Sequence, residues 1–190
     1  MSRPVAPVSK VTAHSTSLIC QDIDIRGDVT VGAGSIIHPK ASILAVGGPI
    51  VIGEGCLIEE TAVIVNRWAS DFRRKEVLSI GNRNVFMVGC RVEALSIGHS
   101  NSFQPKARVS GVHVSDHCVF GSGTVTLPSI PTGEQSSASE TLPPYTSVHG
   151  SLSERTIWDG SGQEMEENVY AKHVDYLREI LPKFNRMRVV

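Results

Sequence analysis

Histidine and cysteine are the residue types in this chain best suited to metal binding, proton transfer or nucleophilic attack: seven of the first and four of the second. His113 and His117 stand four apart, the spacing that places two ligands on one face of a helix. His99 and His117 stand eighteen apart, which makes them neighbours only if the backbone winds with an eighteen-residue turn. An acyl transfer would use His99 or His117 as general base in a cleft, and no partner residue singles out either one. The other histidines (His14, His38, His149, His173) form no spaced set. Cys20, Cys56, Cys90 and Cys118 lie far apart without a CxxC pair, so free thiols in a reducing compartment are expected, not a disulfide framework or zinc knuckle. Arg26 and Asp28 flank a glycine and are expected to form an ion pair between corners of the fold. The expectation is therefore no catalytic residue, no cofactor-binding residue and no metal site.

The elements that would position these side chains follow a period of six. Every sixth residue gives Ala13, Ile19, Ile25, Val31, Ile37 and Ile43. The frame slips by three at Gly47-Gly48-Pro49 and resumes as Ile52, Ile58 and Ile64. It returns with Ile80, Phe86 and Val92, then Ile97, Phe103 and Val109, then Val114 and Phe120. Four residues after these anchors the side chain is small, as at Ser35, Ala41, Cys56, Ala62, Cys90, Ala107, Cys118 and Thr124. Glycine follows the anchor at Gly32, Gly53, Gly81, Gly98 and Gly121, where it is expected to relieve a turning corner. Neither a helical period nor strict strand alternation produces this hexad. It is the mark of a left-handed parallel β-helix, in which three hexads close one triangular coil and coils stack at about 4.8 Å. Three of the four cysteines occupy the small inward position, so packing accounts for them better than reactivity.

Two segments leave the repeat, near 66–79 and near 128–141. The first contains Arg73-Arg74-Lys75-Glu76 and is expected to be a solvated loop. From Gln163 to Leu181 the pattern turns helical, with Val169 or Tyr170, His173 or Val174, Leu177 and Leu181 on one face. Glutamates cluster at the start, where the helix dipole favours them, and Pro182 ends it. About nineteen residues span roughly 28 Å at 1.5 Å each, enough to lie along the flank of a six-coil prism. The division expected is a β-helix over 1–158 and a helix with its tail over 159–190.

Composition narrows the function. A formal net charge of −1 gives no reason to expect nucleic acid or an anionic membrane as partner. The stretch from Met1 to Pro7 has no apolar run like a signal peptide. The uncharged apolar stretch Ala41 to Gly53 is shorter than the roughly 20 residues of a membrane span. A soluble, intracellular chain is expected.

Two resemblances bear on chemistry. Ile25-Arg26-Gly27-Asp28-Val29 resembles the opening of γ-class carbonic anhydrases, which bind zinc through three histidines across a trimer interface. That likeness puts the ligand positions on Leu44, Glu60 and Val65, none of which is histidine. A γ-class-like enzyme or a hexapeptide acyltransferase is thus the alternative reading, and either is expected to be a homotrimer. A broader resemblance runs with gaps from about residue 10 to 185. Ile25–Gly32, Ile37-His38-Pro39-Lys40-Ala41, Gly48-Pro49-Ile50-Val51-Ile52-Gly53-Glu54-Gly55, Ile80–Phe86 and the Leu181-Pro182 ending of the helix are similar to the dynactin subunit 6 family. The resemblance implies a non-enzymatic structural subunit at the pointed end of dynactin, in the dynein motor system. Its implied partners are dynactin subunit 5 (a second β-helix) and other pointed-end subunits, including an actin-related protein. It further implies a hetero-oligomer, residing in the cytoplasm on the cytoskeleton.

Overall fold

The protein is described here by a computed structural model covering residues 9–67, 76–129 and 139–188. Arg73 to Lys75 and the middle of the second excursion lie outside these residues, as does the segment before Ser9. Short strands stack into three sheets, a seven-stranded first face, an eight-stranded second face and a six-stranded third face. Each strand pairs in parallel with the strand one coil later: Lys10 lies opposite Asp28, Leu18 opposite Ile36, and Asp24 opposite Ser42. The architecture is a parallel β-helix.

Every anchor from Ile19 to Phe120 is buried, with the second-face column running Ile19, Ile37, Ile58, Phe86, Phe103 and Phe120. A core so narrow favours flat side chains stacked at the coil spacing. The rings of Phe86, Phe103 and Phe120 lie 4.8 and 4.9 Å apart, almost parallel. Each such side chain contributes about 1.5–3 kcal/mol against exposure before ordering entropy is subtracted.

The three corners differ. At the first corner, between first and second faces, the inward column is Ser35, Cys56, Asn84, Asn101, Cys118 and Thr146, all buried and mostly polar. They satisfy one another down the stack. Asn101 Nδ2 donates to Asn84 Oδ1 at 3.0 Å, and the Cys118 N–H donates to Asn101 Oδ1 at 2.7 Å. At the second corner the column is chiefly Ala41, Ala62, Cys90 and Ala107, also buried. The third corner, between third and first faces, takes up every change of frame. The coil is eighteen residues long where Lys10 faces Asp28 and seventeen where Ile80 faces Ile97. Both long excursions leave from this corner, between Asn66 and Leu78 and between Thr126 and Thr141.

The glycines that follow the first-face anchors act differently from the sequence expectation. Gly32, Gly53, Gly81 and Gly98 are absent from the left-handed region of backbone space. They stack on one another, and a Cβ on Gly32 would sit 2.5 Å from the Gly53 carbonyl. Close approach, not turning, requires them. The turning falls two residues later, at positive φ, on Gly34, Gly55, Arg83, Ser100 and His117.

One helix, Gln163–Phe184, closes the chain. It passes through Pro182 and ends beyond the expected stop, because a proline in the last turn removes one donor without preventing Asn185 N–H from bonding Leu181 O. Tyr170, Val174, Leu177 and Leu181 form the buried stripe against Ile36, Leu57, Val85 and Leu18 of the second face. Of the alternatives open in the sequence, Val169 is exposed and His173 faces Glu59 at 3.8 Å. No helix is long and apolar enough to cross a membrane among the described residues.

Candidate functional site

Each histidine makes a local contact, although Nε2 of the buried His38 has no hydrogen-bond partner among the described residues. His113 lies between Ser96 Oγ (2.7 Å from Nδ1) and Ser139 Oγ (2.9 Å from Nε2). His99 Nδ1 accepts the Asn82 N–H, and the His99 backbone N–H donates to Asp116 Oδ1. The eighteen-residue spacing does make His99 and His117 neighbours, since the His117 N–H donates to the His99 carbonyl at 2.9 Å. The His117 ring, however, turns away to stack on Tyr145 at 5.0 Å. His14 bonds Thr16, and His149 bonds Thr156. Among the described residues no three His, Cys, Asp or Glu side chains stand where they could share a metal ion.

The positions that carry zinc ligands in the γ-class likeness are occupied otherwise. Leu44 and Val65 face each other across the third face. Glu60 Oε1 instead sits 2.9 Å from Nδ1 of His38, a histidine buried at the end of a second-face strand. Burial raises the Glu60 carboxyl, but the His38 hydrogen bond and charge outweigh it and hold the group below its usual range. Sequence reading missed this pair, although His38 and Glu60 occupy adjacent coils. Arg26 pairs with Asp24 at 2.8 Å rather than with Asp28. Residues two apart on one strand point to the same side, and Asp28 lies past the turn at Gly27.

All four cysteines are free and buried. Burial pushes the Cys56 thiol up to about 11 and the Cys90 thiol to about 12. Burial, with Glu60 nearby, pushes Cys20 to about 11. Thiols so raised stay protonated at neutral pH and are poor nucleophiles.

What the fold does offer is surface. The helix is fixed rigidly to its face: the Tyr170 hydroxyl donates to the Gly55 carbonyl, and Arg178 donates to the Gly34 carbonyl at 3.2 Å. Arg83 lies over the Tyr170 ring. Both ends of the second face are closed by antiparallel segments. The tail after the helix pairs with the first coil, where Arg188 N–H donates to Ile19 O and Gln21 N–H to Arg186 O. At the other end Glu154–Ile157 folds back on Thr146–His149.

Comparison with known proteins gives this surface a context. A zebrafish protein, dynactin subunit 6 of Danio rerio, is 36% identical over 179 residues, covering 90% of this chain and 84% of the relative. The chain belongs to the dynactin subunit 6 family. Dynactin subunit 6 of Xenopus tropicalis is 33% identical, covering 96% of the chain and 86% of that protein. That of Nematostella vectensis is 32% identical over 94% and 92%. No family model matches the chain. Among solved structures, a hexapeptide transferase family protein from Anaplasma phagocytophilum superposes with a TM-score of 0.53 at 14% identity, over 90% of this chain and 93% of that one. At that identity the likeness is one of fold. Membership of the dynactin subunit 6 family thus agrees with a β-helix whose histidines are engaged in local contacts.

Proposed function

We propose that the chain is a non-catalytic structural subunit of the dynactin pointed-end complex, supporting dynein-driven transport and the engagement of cargo adaptors. The observation that carries this reading is the likeness to dynactin subunit 6 along nearly the whole chain, from the first coils to the closing helix. The chemistry of the prism supports it. The candidate ligands and bases are tied to serines, glutamates and backbone groups, and the thiols are held protonated. The partners are dynactin subunit 5, an actin-related protein and the other pointed-end subunits, in a hetero-oligomer on the cytoplasmic cytoskeleton. A rigid outer surface, rather than a pocket, is the working part, because a stack of hydrogen-bonded coils holds its outward side chains in fixed register.

The test is a mild purification of the tagged full chain from its own cells, with sedimentation and protein identification. Recovery in a megadalton-scale particle with actin-related proteins and a second β-helix chain is expected. Recovery as a free homotrimer with bound zinc, or with acyl-transfer activity, would overturn the reading.

A further inference from the structure

The two ends of the prism differ in a way that assigns them different tasks. A solenoid needs a polar outer face on its terminal repeats to stay soluble, because each end presents a sheet edge and an open core. The first coil meets this need. Its exposed residues include Lys10, Thr12, Gln21, Asp22 and Arg26, and among the described residues it exposes no large apolar side chain. The second-face edge there is sealed by the chain's own tail through Ile19 and Gln21. Phe184, exposed nearby at the helix terminus, borders an open depression of about 420 Å³ with Cys20, Gln21 and Arg186, where the tail has already paired with the edge.

The last coil departs from the rule. Leu152 is 81% exposed, Ile157 62% and Leu127 56%, and Val125 is half-exposed. These side chains belong to one end. The Val125 N–H donates to Ser153 Oγ, and Arg155 reaches the Leu127 carbonyl. The charge in the middle is already neutralised, since Arg155 Nη1 lies 2.6 Å from Glu140 Oε1. Glu154–Ile157 pairs along one side only, with Thr146–His149, and is exposed throughout. Among the described residues, Lys10–Ala13 and Asp24–Arg26 also leave sheet edges open at the other end, so it is the exposed aliphatic side chains, set beside the open edge of Glu154–Ile157, that mark this end as the one built to be covered.

We propose that the C-terminal end of the prism is the docking end of this subunit, and that its occupant is an edge strand of another protein's β-sheet, with aliphatic side chains set against Leu152 and Ile157. Backbone pairing supplies affinity in such an addition and alternate side chains supply specificity. A second copy of this chain fits poorly. Self-pairing of Glu154–Ile157 about its centre would set Glu154 opposite Ile157 and Arg155 opposite Thr156, so it would gain neither an apolar nor an opposite-charge cross-strand pair. This inference rests on the reading of the chain as an assembly subunit and names the end that assembles.

Hydrogen exchange on the full chain, free and within its purified native particle, tests it. The amides of residues 150–158 are expected to exchange about tenfold slower or more in the particle, with those of 10–16 unchanged. Protection of 10–16 with 150–158 unchanged would overturn the inference while leaving the assembly reading intact. Failure to find the chain in any larger particle overturns both. In parallel, Leu152→Glu with Ile157→Glu is expected to release the folded chain from the particle, and Thr12→Glu to leave it bound. Self-association of the free chain that Leu152→Glu abolishes would overturn the choice of partner.

Discussion

The first and third corners of the prism carry the same backbone through the same turn and treat length in opposite ways. At the first corner Asn84, Asn101 and Cys118 pass hydrogen bonds from coil to coil, and the spacing from first-face anchor to second-face anchor never changes. At the third corner no such ladder exists among the described residues, and the chain gains or loses residues five times without disturbing the sheets on either side. A buried polar ladder fixes register because each member left unpaired would carry its full desolvation penalty. The third corner has no such tie and extra residues leave the prism there, whereas the second corner keeps its length with the tightly packed small column of Ala41, Ala62, Cys90 and Ala107.

Insertion is the severest way to break this contrast. One glycine added after Thr61, at the second corner, should shift Ala62 out of its inward place and every later strand of that coil with it. A loss beyond about 4 kcal/mol by urea unfolding is expected. The same glycine added after Gly111, at the third corner, should change stability by less than about 1 kcal/mol. Next in size is Asn101→Leu, which removes the acceptor of the buried Cys118 N–H and the side-chain donor to Asn84 Oδ1 and should destabilise by about 2–4 kcal/mol. Ala107→Val at the second corner tests whether an apolar column is as strict. Overpacking there should amount to about 1–3 kcal/mol in the same measurement. Smaller again is Gly123→Ala, at φ 72 with open space around the added methyl, where only backbone strain acts and about 1 kcal/mol is expected.

The smallest effect concerns pH at the C-terminal end. Burial raises the Glu140 carboxyl, but the Ser129 N–H and Arg155 outweigh it and hold the group below its ordinary range. A carboxyl lowered in the folded state stabilises above its unfolded pKa, and that contribution fades as pH falls through the folded value. Thermal unfolding followed from neutral pH into the acid range should therefore show a shallower acid loss for Glu140→Gln than for the parent chain.

The core was readable because its rule is simple: one aliphatic residue in six points inward, and the anchors Ile19 to Phe120 do so. The helix stripe was readable for the same reason, with the choice between Val169 and Tyr170 decided only by where the second face lies. What stayed hidden did not alternate. Asn84 and Asn101 are neither small nor apolar, so their inward direction shows only when the ladder is assembled. Glu154–Ile157 is exposed at every residue, and a strand without a buried side has no periodic signature. The partner of Arg26 was misjudged because Asp24 and Asp28 are equally near in sequence, and only the turn at Gly27 separates them. For function, the histidine spacings raised questions of chemistry that only the ring contacts answered.

The tail that pairs with the first coil has a consequence for the order of events at the ribosome. Arg186–Arg188 is made after every strand of the prism, yet it completes the edge of Leu18–Ile19, one of the earliest strands laid down. A growing chain can stack its coils one by one, but Leu18, Ile36, Leu57 and Val85 stay uncovered until the helix arrives. A stop codon placed after Gly162 should thus yield a prism that forms and then clumps through this bared face, seen as light scattering that the intact chain lacks. The first coil and the segment that seals it are made far apart in time and finished together, so a fold that grows like a spring is quality-checked like a clasp.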